Sequence, residues 1–179
     1  MEAEHQYEII EIGNPLLAAM AQPVKDFECA SLADHIQAMF DLMEARGGVG
    51  IAAPQVGVSL QLMIIASKPN QRYPNAPFME PLLMINPAIE WQSEEQILDW
   101  EGCLSVPGIR GRVNRSEAIA ISYHCREGIQ HKSHLEGFPA RVFLHEYDHL
   151  VGKTFLDRVE SASCLYSEKE YLRCISQVK

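Results

Sequence analysis

Phe138-Pro139-Ala140-Arg141-Val142-Phe143-Leu144-His145-Glu146-Tyr147-Asp148-His149-Leu150-Val151 is the stretch on which the reading of this chain turns. Pro139 suits a first helical turn and Gly152, just beyond, suits a C-terminal stop, so residues 138–151 read as one helix of ordinary length. Within it His145 and His149 stand four apart, stacked on one face and able to grip a single metal ion. Glu146 then lies beside the open coordination position, where a glutamate can take a proton from a water and pass it to a leaving group. That is metallohydrolase chemistry. The same pattern also fits a plain amphipathic helix with surface histidines, and two histidines do not complete a site. The third ligand has to come from elsewhere in the chain.

The 179 residues are enough for one domain, 1–179, with a real core. Apolar residues are 47% and charged residues 22%, an ordinary globular balance. No apolar run approaches the ~20 residues of a membrane span, and Glu2, Glu4 and Glu8 give the N-terminus no basic-then-apolar leader pattern, so a cytoplasmic protein without membrane contact is expected. A net charge of -9 argues against nucleic-acid binding, which needs clustered positive charge. Cys29, Cys103, Cys125, Cys164 and Cys174 are odd in number and scattered, which fits a reducing compartment better than a disulfide framework.

From Ile9 to Val24 the chain is an irregular lead with no periodicity. Ser31 with Asp34 resembles a capping box, and Leu32, Ile36, Met39, Phe40 and Met43 recur at helical spacing, so a packed helix is expected up to Gly47-Gly48. The small-residue block Gly48-Val49-Gly50-Ile51-Ala52-Ala53-Pro54-Gln55 lacks the Gly-Lys-Ser/Thr ending of a phosphate loop and instead permits a close backbone approach, with Gln55 offering an amide donor. Leu60 to Ala66 is a buried strand, Lys68 to Pro77 a loop and Leu82 to Ile85 another strand. Ile119 and Ile121 alternate with Ala120 and Ser122, Arg126-Glu127-Gly128 makes a turn, and Ile129 to Leu135 completes a hairpin. With a last helix near Ser167 to Ile175, the expectation is an α+β fold of mixed or antiparallel strands packed around the central HExxH helix, with an N-terminal and a C-terminal helix.

For the third ligand, residue chemistry leaves several candidates. His131 and His134, three apart in a strand, point to opposite faces. Glu168 and Glu170 follow His149 as a zincin's ligand would, in a charged run that also reads as a solvated helix face. Cys103, between a glycine and a leucine, could present a thiolate to iron or zinc.

Three blocks, residues 48–55, Glu101-Gly102-Cys103-Leu104-Ser105 and His145-Glu146-Tyr147-Asp148-His149, closely resemble in order and separation the signature motifs of the peptide deformylases, and the resemblance spans roughly residues 10–159. It implies a metal held by Cys103, His145 and His149: Fe2+, with Zn2+, Ni2+ or Co2+ as substitutes. It implies hydrolysis of the N-formyl group on the initiator methionine of nascent peptides, with Glu146 moving the protons and the Gln55 amide and Leu104 N–H holding the oxyanion. Substrate contacts are expected at Val49, Gly50, Gly102, Phe138 and Val142, and transient ribosome contact is expected of an enzyme acting on nascent chains. Two positions leave the family's pattern: Leu144, where glutamine is common, and Arg141, apolar in some members. The competing readings are a zincin-type endopeptidase using Glu168 or Glu170, and a silent relative that binds formylated or acetylated N-termini without turnover.

Overall fold

The computed structural model describes residues 7–69, 73 and 75–177. In chain order its elements are α1 (Ala30–Ala45), β1 (Gly50–Ala52), β2 (Leu62–Ser67), β3 (Met79–Gln92), β4 (Gln96–Cys103), β5 (Val106–Ser116), β6 (Ala118–His124), β7 (Gln130–Glu136), α2 (Gly137–Leu150), β8 (Leu165–Ser167) and α3 (Glu168–Ser176), with short 3-10 turns between them. The strands form two antiparallel sheets, one ordered β1-β2-β3-β6-β7 and one ordered β4-β5-β8, so the class is α+β.

Every residue of β2 is buried, and its two faces go to different helices. Met63 and Ile65 pack with Phe143, Leu144 and Leu150 of α2, whereas Leu62 and Ile64 pack with Leu32, Met39 and Met43 of α1. Successive side chains of a strand point to opposite faces, so a strand covered on both sides needs an unbroken apolar run. Among the described residues β1 pairs only with β2 and forms one edge of the larger sheet, directly beside α2.

Several elements depart from their sequence expectation. α1 begins at Ala30 with Cys29 as its N-cap, so Ser31 lies inside the helix and forms no capping box; its Oγ meets Cys29 Sγ at 3.1 Å instead. The strand expected at 82–85 is the middle of the 14-residue β3. Pro87 is tolerated there because the register shifts between Ile85 and Ala88, with Asn86 at φ 50° and its amide exchanging two 2.8 Å hydrogen bonds with the Val24 backbone. β5 was hidden by Pro107, Gly108 and Gly111, and by inward positions filled with Arg110 and Arg115 rather than apolar residues. The hairpin of β6 and β7 and the helix α3, capped by Ser167, lie where the pattern placed them. The expected loop from Lys68 to Pro77 falls partly outside the described residues. Among the described residues no helix is long and apolar enough to cross a membrane.

Phe143 is fully buried where α2 meets the larger sheet. Truncation to alanine removes its contacts and leaves a cavity, so Phe143→Ala should lower the unfolding free energy by about 3–5 kcal/mol in urea titrations. A loss below about 1 kcal/mol would show that α2 is not packed through this side chain.

Candidate active site

α2 starts directly from β7, with Gly137 at φ 60° making the change of direction and Pro139 in the first turn, where a missing N–H costs no intrahelical bond. Its buried face presents His145 and His149, whose rings lie 5.4 Å apart, with Glu146 between them. Cys103 ends β4, and Leu104-Ser105 form the two-residue turn into β5. Cys103 Sγ stands 3.2 Å from His149 Nε2, and the ligating atoms of Cys103, His145 and His149 all lie within 4.8 Å of one another. Gln55 sits in the 3-10 turn Ala53–Val56 that follows β1. Its Oε1 accepts the Ala52 N–H at 2.8 Å, which turns Nε2 outward to donate to Cys103 Sγ (3.4 Å) and Ser105 Oγ (3.3 Å).

One cleft brings together Val49, Gly50, Gln55, Gly102, Cys103, Leu104, Phe138, Val142, His145 and Glu146, so every site residue expected from the sequence lines it except His149, which is fully buried behind the cysteine. The competing third ligands lie elsewhere. Glu168 takes a two-pronged bond from Arg110 (2.8 and 2.9 Å), and Glu170 pairs with Arg173 at 2.6 Å. His131 stacks on Tyr123 and His134 on Trp91, both exposed, on opposite faces of β7.

The sequence reading missed the ring of charge beneath the cleft. Glu101, 4% exposed, accepts from Arg115 Nε and Arg141 on one oxygen (2.9 and 3.0 Å) and from Arg115 and His145 Nδ1 on the other (3.0 and 2.9 Å). Asp148 accepts from Arg115 at 2.7 Å and from Arg158. Burial would push the Glu101 carboxyl up, but the bonds from Arg115 and His145 outweigh it and hold Glu101 well below the usual carboxylate range. Arg141 also donates to the carbonyls of Val113 and Ile97, so its charge is fully engaged at the cleft floor. Leu144 packs in the core beside Asp148, whose oxygens are already served by two arginines; a glutamine there is not needed to orient it.

Glu146 sits in the opposite environment. Burial raises its carboxyl to about 7, only partly offset by His145 and His149, and its Oε2 is buried without a partner among the described residues. Burial also opposes ionisation of Cys103, but the charge of His149 and hydrogen bonds from both histidines carry the thiol well below its ordinary value. A thiolate and two imidazoles, one oriented by a carboxylate, are a donor set suited to a divalent transition metal.

The polypeptide deformylase family matches residues 6–164 of this sequence. The chain belongs to that family. Its relatives include peptide deformylase 2 of Nostoc sp., 47% identical over 94% of both chains, and peptide deformylase 1 of Bordetella pertussis, 44% identical over 84% of this chain and 86% of that one. Among solved structures, the class I type b peptide deformylase of Acinetobacter baumannii with Met-Ala-Ser bound superposes with a TM-score of 0.83 at 42% identity, covering 85% of this chain and 97% of that one. Three further features of this site are legible only from the fold: the Arg115 bridge, the Arg141 anchor and the Asp148–Arg158 pair join residues that are 10 to 44 positions apart.

A Cβ built on Gly50 would come 2.8 Å from Glu146 Cγ and 2.9 Å from its Cδ. Gly50→Ala should therefore displace the Glu146 carboxyl and lower kcat by about 10²-fold, with little change in the denaturation midpoint. Steady-state kinetics showing wild-type kcat would mean that Glu146 has no fixed place.

Proposed function

We propose that this chain removes the N-formyl group from the initiator methionine of newly made polypeptides and releases formate. The observation that carries the reading is the convergence of a thiolate-imidazole donor set, a raised carboxyl and an outward-turned amide on one cleft. Cys103, His145 and His149 would hold one divalent cation, ferrous iron in this reading, with zinc, nickel or cobalt as substitutes. When bound, the cation supplies Lewis acidity and acidifies a water.

The remaining steps fall to the protein. Glu146, with a carboxyl tuned near neutrality, accepts a proton as water adds to the formyl carbon and returns one to nitrogen as the C–N bond breaks, which yields formate and a free amine. Gln55 Nε2 and the Leu104 N–H donate to the developing oxyanion; losing one such donor typically costs about 10²- to 10³-fold in rate. Glu101 holds the Nδ1–H of His145 so that Nε2 faces the cation. Val49, Phe138 and Val142 wall a pocket for the methionine side chain, and Gly50 and Gly102 let an extended peptide lie against the free edge of β1. The Acinetobacter baumannii structure holds Met-Ala-Ser, the peptide that remains when formyl-Met-Ala-Ser loses formate. In this reading residues 1–179 act as one catalytic unit in the cytoplasm, in transient contact with the ribosome.

Formyl-Met-Ala-Ser tests the reading: stoichiometric formate release supports it, internal cleavage would favour an endopeptidase, and binding without turnover a silent relative. Glu146→Gln should keep the cation, measured by metal content, and lose nearly all turnover. Activity retained within about tenfold, ~1.4 kcal/mol of barrier, would remove Glu146 from its role.

A further inference from the structure

The lead between Ile9 and Val24, featureless in sequence, touches two of the signature blocks and the C-terminal end of α2 through its backbone. The Ile10 N–H donates to the Gln55 carbonyl and the Ile12 N–H to the Ser105 carbonyl, both at 2.9 Å. Further along, the Ala21 N–H donates to Leu150 at the end of α2 (2.9 Å), and Met20 bridges Val151. Gly152 lies so close that a Cβ there would come 2.8 Å from the Ala18 oxygen.

The first two bonds have a particular geometry. Gln55 follows β1 of the larger sheet, whereas Leu104 and Ser105 close the hairpin of the smaller one. The two oxyanion donors therefore come from separate sheets, and residues 10 and 12, two apart along the lead, tie one to each. We propose that Ile10 and Ile12 are positioning residues: their backbone N–H groups set the distance between the Gln55 amide and the Leu104 N–H. The role lies in the main chain, since the Ile12 side chain is 46% exposed. This explains why no side-chain pattern marks the lead. The proposal rests on the deformylase reading of those two donors.

The local fold permits a selective test. Glu11 to Asn14 form a turn closed by the Asn14 N–H on the Glu11 carbonyl (3.1 Å), with Gly13 at φ 101° in its third place. Among the described residues Asn86 is the one non-glycine with positive φ, so Ile12 has negative φ and the turn is type II, in which proline is favoured at the second position. Ile12→Pro thus suits the backbone and deletes the N–H, while Ile12→Ala removes the side chain and keeps it. The expected result is a kcat about 10- to 100-fold lower for Ile12→Pro on formyl-Met-Ala-Ser, KM within about threefold, and near-normal kinetics for Ile12→Ala. In cation-free protein, amide exchange at Leu104 and Ser105 should quicken in Ile12→Pro alone, a readout that stands even if the wild type releases no formate. Equal kcat and equal exchange in the two variants would overturn the proposal.

Cys29 allows a second, finer variant: a synthetic 1–28 thioester carrying the 2-hydroxy analogue of isoleucine at position 12, ligated to recombinant 29–179. It replaces one N–H by an ester oxygen. The same loss of kcat at constant KM supports the positioning role, whereas failure to fold when the all-amide ligation product folds would make the bond structural and overturn it.

Discussion

The Glu101 carboxylate, sealed from water and shared by Arg115, Arg141 and His145, is the interaction on which the rest of the site depends. It stands on β4, two residues before Cys103, and its partners stand on β5 and α2. One anion therefore joins the strand that carries the thiol to the helix that carries the imidazoles. Arg115 extends the junction to Asp148, and Arg158 closes it from the segment after α2. Removing one partner of a buried pair leaves an uncompensated charge and costs several kcal/mol, about 3–5, so these groups hold together or fail together.

That network separates two glutamates into different roles. Glu101 receives two guanidinium groups and the His145 Nδ1–H and stays ionised, fixed as an acceptor. Glu146, equally buried but unpaired at Oε2, is raised to about 7 and can both take and give a proton. Environment alone assigns them, since the residue types are identical. The arrangement also accounts for Arg141. The Glu101 carboxylate pairs with the guanidinium and two backbone carbonyls take up further N–H donors, so a charged residue at that position remains compatible with an apolar substrate pocket.

Much of this was legible in the sequence where one element carries its own signal. The i, i+4 histidines with Pro139 and Gly152 delimit α2, and the apolar run of β2 marks a strand covered on both faces. Other features depended on distant residues. β5 turns Arg115 inward, which is readable only once Glu101 and Asp148 are known to lie opposite; Pro87 sits in β3 only because Asn86 makes a bulge anchored on Val24. Ser31 failed as a cap because α1 begins two residues earlier, with Cys29 at its N-cap. The lead near Ile10 acts through backbone N–H groups that every non-proline residue has, so its bonds to Gln55 and Ser105 leave no trace in side-chain pattern.

The central claim is that Cys103, His145 and His149 together hold one cation. X-ray absorption on zinc-loaded protein addresses it directly, because sulfur and nitrogen scatter at separable distances. The account predicts one sulfur at about 2.3 Å and two imidazole nitrogens at about 2.0–2.1 Å, with the sulfur shell absent in Cys103→Ala. A first shell of nitrogen and oxygen only in the unaltered chain, lost on Glu168→Ala instead, would contradict it.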